Sequence, residues 1–296
     1  MKTMSVHTKR HHGIVVRLDR LQIVSSAAQG GRPPLLKGYK VVRDWFVRCQ
    51  TTTSTYARVR QYQSVTDDMK IFWQYQRLKG WLKPWKVTIV ADDERGLSYV
   101  EVEKVLKHCR HYRFLIIEIA VDFCPSVGVN RRFVRQHAAF GKSRRRVYDE
   151  KRRVLSYGGR KSDKFIRCYH KDGLGVYRVE VELHSGLLRR NDISTLDNFL
   201  YLPNIVHPRH FQFVALDWRR LDQYLSRRFG DESSRIIAGA RRRAASLQRV
   251  RRYLKQHGVV NFHRFFVPLT LNEEVSRALD RWARHFKKES LWASTK

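Results

Sequence analysis

Three stretches of the chain carry ionisable side chains at every second position. In FLIIEIAVDF, residues 114–123, an apolar series of Leu115, Ile117, Ile119, Val121 and Phe123 alternates with Glu118, Ala120 and Asp122. In GVYRVEVELH, residues 175–184, Val179, Val181 and Leu183 alternate with Arg178, Glu180, Glu182 and His184. In KFIRCYHK, residues 164–171, Arg167, Tyr169 and Lys171 share one parity. Side chains alternate across a strand, so each set falls on one face of an extended run. Strands that neighbour one another would gather four carboxylates, Glu118, Asp122, Glu180 and Glu182, on one sheet surface, where they repel unless a cation sits among them. Such oxygen donors suit Mg²⁺ or Mn²⁺, which polarises a phosphoryl oxygen and steadies a leaving group. A phenol can attack phosphorus and hold it as a phosphotyrosine. Tyr169 is therefore the candidate nucleophile, expected on a strand between the two acidic ones. Arg167 and Lys171 flank it and are expected to lower the phenol's pKa or to neutralise charge developing on a phosphate. The chemistry these types allow is metal-assisted transesterification of DNA. Each residue also has an ordinary use: a strand glutamate is often half of a cross-strand ion pair, as Glu180 with Arg178, and a strand tyrosine often packs.

The charge balance points to the same substrate. Across 296 residues, 60 Lys and Arg oppose 27 Asp and Glu, a formal +33. A field of that sign draws polyanions over long range and makes their binding salt-dependent. Nucleic acid is therefore the expected partner. A host helicase and a second copy of the chain are further candidates. The sequence offers no apolar run of membrane-spanning length and no secretory h-region after its first residues, so a cytoplasmic location in the host cell is expected, with no membrane partner. Cys49, Cys109, Cys124 and Cys168 are too far apart for a C-x-x-C ligand pair and read as reduced packing residues. The His108–His111 run beside Cys109 lacks a second ligand pair for zinc.

The elements that must position these residues read as an α+β chain. Strands are expected from Gly13, at 39–49, 69–76, 85–92 and 114–123, and at 153–159, 164–171 and 175–184. GLSYVEVEKVLKHC, residues 96–109, spaces Val102, Val105 and Leu106 on one stripe and predicts a helix, and 126–153 predicts a helix followed by a strongly basic loop. The order implies a central, mainly antiparallel sheet with helices on one face. Beyond residue 207 the pattern turns helical. A long helix is expected over 233–258, with Ile236, Ile237, Ala240, Ala244, Leu247, Val250 and Leu254 as its apolar stripe. Arg241, Arg242, Arg243, Arg249, Arg251 and Arg252 fill the remainder, and no acid occurs between Arg235 and Leu271. A merely solvated face would mix both signs, so phosphate contact is expected here. The organisation expected is an α+β catalytic domain over 1–205 and a basic helical DNA-binding or interaction region over 206–296.

Taken in order, IIEIAVDF, YGGRKSDKFIRCYHK and YRVEVELH resemble the motifs of the rolling-circle replication initiators of plasmids and filamentous phages, a family that includes relaxases of some conjugative elements. The resemblance covers about residues 110–195. It implies an HUH-nuclease-like core, and it implies that Tyr169 is the nicking tyrosine, Lys171 its lysine, Glu118 the first metal-binding acid and Glu180 the later one. It further implies DNA as the partner, as a double-stranded origin and as a single strand, and a site-specific single-strand endonuclease that stays joined to the 5′ phosphate and leaves a 3′ hydroxyl for a polymerase, with no nucleotide cofactor. Arg160 and Lys161, in the basic turn of the second motif, become candidate DNA contacts. The family pattern has Asp at the first acidic place, where this chain has Glu118. Tyr157, before the Gly158–Gly159 pair, is the rival nucleophile. Two other classes remain: a basic nucleic-acid-binding protein without catalysis, with Trp73, Tyr75, Trp81 and Trp85 as stacking platforms or core, and a tyrosine recombinase, with HPRHF at 207–211 as its His-rich box and Tyr224 as nucleophile.

Overall fold

Runs with one apolar parity can bury that parity only by lining up side by side, and here they do so in one large sheet. The computed structural model describes residues 13–26, 34–48, 56–66, 69–75, 77–78, 81–82, 85–92, 95–140, 146–149, 153–159, 162–207 and 210–293. Its strands are β1 (Ile14–Ser26), β2 (Tyr39–Arg48), β3 (Tyr56–Ser64), β4 (Lys70–Tyr75), the short β5 (Arg77–Leu78) and β6 (Trp81–Leu82), β7 (Trp85–Val90), β8 (Arg110–Phe123), β9 (Ala138–Phe140), β10 (Arg146–Asp149), β11 (Val154–Tyr157), β12 (Lys164–Lys171), β13 (Val176–His184), β14 (Phe211–Leu216) and β15 (Phe266–Pro268). Its helices are α1 (Tyr99–Leu106), α2 (Arg131–His137), α3 (Ser185–Arg190), α4 (Leu202–Val206), α5 (Trp218–Phe229), α6 (Ser233–Arg241), α7 (Leu247–Gln256) and α8 (Leu271–Ala293).

Ten strands form the sheet in the order β10-β11-β12-β13-β8-β1-β7-β4-β3-β2, every neighbouring pair antiparallel. The fold is α+β. On one face Leu18, Leu21, Ile23, Ile117, Ile119, Val121, Val179 and Val181 are buried beneath helices, with α1 contributing Val102 and Val105 and α8 contributing Val275, Leu279 and Phe286. Trp73 is wholly buried in this core, so of its two readings it takes the packing one. The side chains of Tyr75, Trp81 and Trp85, and all of Cys49, Arg160 and Lys161, lie outside the described residues.

Helix α1 is shorter than the 96–109 expected because Ser98 closes it with a capping box: the Glu101 amide donates to Ser98 Oγ at 3.2 Å and the Ser98 amide to Glu101 Oε2 at 2.9 Å. His108 and His111 lie beyond its end and are exposed. Strand β10 falls inside the stretch read as a basic loop, paired with β11 at the sheet edge. A further correction concerns order. Strand β13, not β12, lies between its neighbours: it pairs with β8 on one side and β12 on the other. The β12–β13 hairpin leaves β13's second edge to bond β8, so Tyr169 sits one strand further out than the sequence suggested.

The core under the sheet reaches past residue 206, because Phe211 and Phe213 of β14 and the α8 residues belong to it. A second core is built by α5, α6 and α7 from Leu221, Leu225, Ile236, Ile237, Ala240, Leu247, Val250 and Leu254. The chain enters this lobe from β14 and leaves it through β15. These two strands pair at Leu216 and Phe266, and the Asp217 amide donates to Phe265 O at 2.8 Å. The single helix expected over 233–258 is two helices. Residues 242–246 form a turn, and Ser246 takes extended backbone at φ −153° and ψ 113°. Breaking the helix there lets both halves of the apolar stripe close on one compact core, and Ala244, in the turn, is exposed rather than buried.

Candidate active site

The face of the sheet opposite the helices carries the ionisable residues, and the register brings them together. Glu118 lies opposite both Arg20 and Glu182, Ala120 opposite Glu180, Asp122 opposite Arg178, Glu180 opposite Arg167, and Arg178 opposite Tyr169. Small Ala120 leaves room between the acids of β8, so side chains from β1 and β13 reach across it. Burial is deep: Glu118 is 2% exposed, Asp122 1%, Glu180 3% and Arg178 0%.

Asp19 joins this group: with Leu18 in the core and Arg17 on the polar face, it falls on the polar face beside Arg20. The β1–β8 register slips between Leu18 and Arg20, so Asp19 is an extra residue in β1, a bulge that re-aims a side chain. The crossing segment after β7 fixes it, with the Ala91 amide donating to Asp19 O at 2.9 Å and the Leu97 amide to Leu18 O at 2.7 Å. That approach needs Gly96, whose φ is +78° and whose absent Cβ would lie 2.9 Å from the Cβ of Arg17.

Oxygens of Asp19, Glu118 and Glu180 all lie within 4.8 Å of one another. Asp122 and Glu182, the other two acids picked out in the sequence, are held elsewhere. Arg178 grips Asp122 in a fork, Nε to Oδ1 at 2.6 Å and Nη2 to Oδ2 at 2.9 Å, and Arg17 pairs with the same carboxylate. Glu182 pairs with Arg20 at 2.5 Å and with His184 at 2.6 Å. Among the three gathered acids, Arg167 meets Glu118 at 2.6 Å and Glu180 at 2.7 Å, Arg20 meets Glu118 at 2.5 Å, and Arg178 meets Asp19 at 3.3 Å.

Burial, reinforced by the Glu180 charge, pushes the Glu118 carboxyl up to about 7. Burial raises Glu180 as well, against the pull of Arg167. Glu118 Oε2 and Glu180 Oε2 receive no hydrogen bond of good geometry, their arginine contacts being charge on charge only. An all-oxygen set of buried carboxylates, protonated more readily than usual and with acceptor capacity left over, fits a divalent cation of the Mg²⁺ or Mn²⁺ type.

Tyr169 presents its hydroxyl to this group and donates it to Glu180 Oε1. Arg167 pulls its pKa down as expected, but the net shift is upward. Burial and the neighbouring Glu180 raise it, outweighing Arg178 and Arg167. The phenol is thus held protonated, with a carboxylate in place to take its proton. Arg167 is itself more firmly charged than usual: burial opposes this, and Glu118 and Glu180 prevail. Lys171 ends β12 on the same parity as Tyr169 and is half-buried. Tyr157, the rival, points the other way: its ring is 2% exposed and stacks on Phe140 with centroids 3.7 Å apart. His207 is buried, its ring within hydrogen-bond distance of Ser276 and Asn272 in α8, at 2.9 and 3.1 Å, so it serves packing rather than a box around Tyr224.

In the second lobe Arg241, Arg242, Arg249, Arg251 and Arg252 are exposed as expected, whereas Arg243 is half-buried. No helix of the described residues is long and apolar enough to cross a membrane. Cys109, Cys124 and Cys168 are buried, and burial pushes the Cys109 thiol up to about 12.

No family model and no curated protein matches the chain. Among solved structures the chain is similar to the rolling circle replication initiator protein from Geobacillus stearothermophilus, at 12% sequence identity over 69% of this chain and 88% of that one, with a TM-score of 0.41.

Proposed function

We propose that the chain nicks one strand of a DNA origin, remains joined to it through Tyr169, and so initiates rolling-circle replication or conjugative transfer of a plasmid or phage. The observation that carries this reading is the Tyr169 hydroxyl donating to Glu180, inside a cluster of oxygens with Asp19 and Glu118. Tyr169 Oη attacks the phosphorus and its proton passes to Glu180. The bond from phosphorus to the 3′ oxygen breaks, that oxygen takes the electron pair and a proton from solvent, and the 5′ phosphate stays on the tyrosine. Burial makes Glu180 a stronger base than an ordinary carboxylate, which favours the transfer. Arg167, beside Glu118 and Glu180, and Lys171 face the charge that develops on the phosphate. Asp19, Glu118 and Glu180 would hold a divalent cation, which when bound polarises the phosphoryl oxygen. The phosphotyrosine keeps the bond energy needed to rejoin the strand, and the basic second lobe supplies phosphate contacts.

A second reading, a DNA-binding protein without chemistry, is favoured by one observation: each of the five carboxylates, Asp19, Glu118, Asp122, Glu180 and Glu182, already meets an arginine. One experiment separates the two. Supercoiled DNA carrying the protein's own origin region is incubated with the full chain and Mg²⁺, and covalent adducts are mapped by mass spectrometry. Nicking should leave an adduct on Tyr169, fall by at least about 10³-fold in Tyr169→Phe, persist in Tyr157→Phe and vanish in EDTA. Relaxation that survives Tyr169→Phe, or an adduct on another residue, overturns the proposal.

A further inference from the structure

The second lobe offers a feature that the chemistry at Tyr169 does not use. Helices α6 and α7 are joined by the 242–246 turn and packed with α5 on one core, leaving one side of α7 without a protein neighbour among the described residues. Leu247, Val250 and Leu254 point inward. Positions 248, 249, 252, 255 and 256 recur at helical spacing on the opposite side, and they are Gln, Arg, Arg, Lys and Gln. All of these are exposed except Gln248, which is half-buried.

The angle between the two helices is held by side chains rather than left to the turn. The Arg243 guanidinium donates to Gly239 O at 2.7 Å and lies 4.2 Å from the centroid of the Tyr253 ring, linking α6, the turn and α7. Gly239 is needed for this approach, because a Cβ there would lie 2.1 Å from the Tyr253 hydroxyl oxygen. Beside the clamp, Arg242, Arg249, Arg252 and Gln256 line an open groove of about 530 Å³.

We propose that α6, the turn and α7 form a helix–turn–helix that reads double-stranded DNA, with α7 lying in the major groove and Gln248, Arg249, Arg252 and Gln256 meeting base edges. A lobe that merely tracked phosphates would need only positive charge. Here Gln248 and Gln256 bracket Arg249 and Arg252 along the stripe, and these are the side chains that bond adenine and guanine edges in pairs. The 10-residue α7 spans about 15 Å, enough to cross a major groove about 12 Å wide. The same groove of A-form RNA is too narrow to admit it. The absence of acids between Arg235 and Leu271 removes repulsion along the whole approach.

The test is selection by the full wild-type chain, in EDTA at physiological salt, from short DNA duplexes with a randomised centre, followed by affinity measurement on the enriched duplex and on a scrambled one. One sequence should be enriched. Arg249→Ala and Arg252→Ala should bind it about 10- to 100-fold more weakly and relax the preference at one base pair each. Arg252→Lys should keep the affinity for scrambled duplex and lose the preference, since lysine lacks the planar fork. Lys255→Ala should weaken both duplexes alike. Unfolding midpoints equal to wild type would show that these exposed substitutions leave the fold intact. Failure to enrich any sequence, equal affinity for the matching RNA duplex, or unchanged preference in the arginine variants overturns the inference. Tyr169→Phe should enrich the same sequence while forming no adduct, so loss of the nicking reaction and loss of duplex reading are scored apart.

Discussion

The polar face of the sheet and the outer side of α7 are both rich in arginine, and they use it in opposite ways. On the sheet, Arg17, Arg20, Arg167 and Arg178 face five carboxylates, most of them buried, and each guanidinium has a fixed partner. On α7, Arg249, Arg251 and Arg252 are exposed on a segment without a single acid. Buried and paired charge is rigid and strongly coupled, which suits the positioning of reacting atoms. Exposed charge of one sign is adaptable and awaits a polyanion. Arginine content alone therefore does not distinguish a reaction centre from a binding surface; the company that each guanidinium keeps does.

The largest effect should come from breaking a buried pair. Arg178→Ala removes the guanidinium that forks onto buried Asp122, leaving that carboxylate to Arg17, and takes one cation from Asp19; it should lower the unfolding free energy by about 3 kcal/mol in denaturant titrations. An unchanged midpoint would mean the network is far wetter than its burial implies. A smaller effect should appear with pH. The folded-state pKa of Glu118, about 7, exceeds the ordinary value of 4.5, so the folded chain binds more protons than the unfolded one between these values. Stability from this group is present in full below 4.5 and lost as pH rises to about 7. In EDTA, Glu118→Gln should flatten that fall, and in the wild type Mg²⁺ should offset it. The smallest effect belongs to α7, where Arg249→Ala or Arg252→Ala should shift stability by no more than about 0.5 kcal/mol. A larger shift would erase the contrast between the two regions.

How far the sequence disclosed this follows from which interactions are local. The faces of β8, β12 and β13 were legible because strand alternation has a period of two and tolerates no drift. Tyr169, Glu118 and Glu180 were found on that basis. Asp19 was not, because nothing in its own segment shows that β1 lies beside β8, where a bulge sets Asp19 and Arg20 together next to Glu118. Asp122 and Glu182 were grouped with the other acids because the sequence cannot show which arginine arrives from another strand. Tyr157 ranks behind Tyr169 in the sequence for want of a Tyr-x-Lys spacing, and its stacking on Phe140 in the core, a contact between strands, was not legible. The 233–258 run read as one helix since its stripe keeps helical spacing through the turn, and only the shared core of α5, α6 and α7 reveals the break.

The hydrogen-bonded neck formed by β14 and β15 carries a mechanical implication. A lobe hung on one strand of linker can spin freely, whereas one whose incoming and outgoing chains are laced together resists torsion. If α7 grips DNA as proposed, twist imposed on that DNA would be passed through β14 into the core beneath the sheet that carries Tyr169, instead of being dissipated by a swivel.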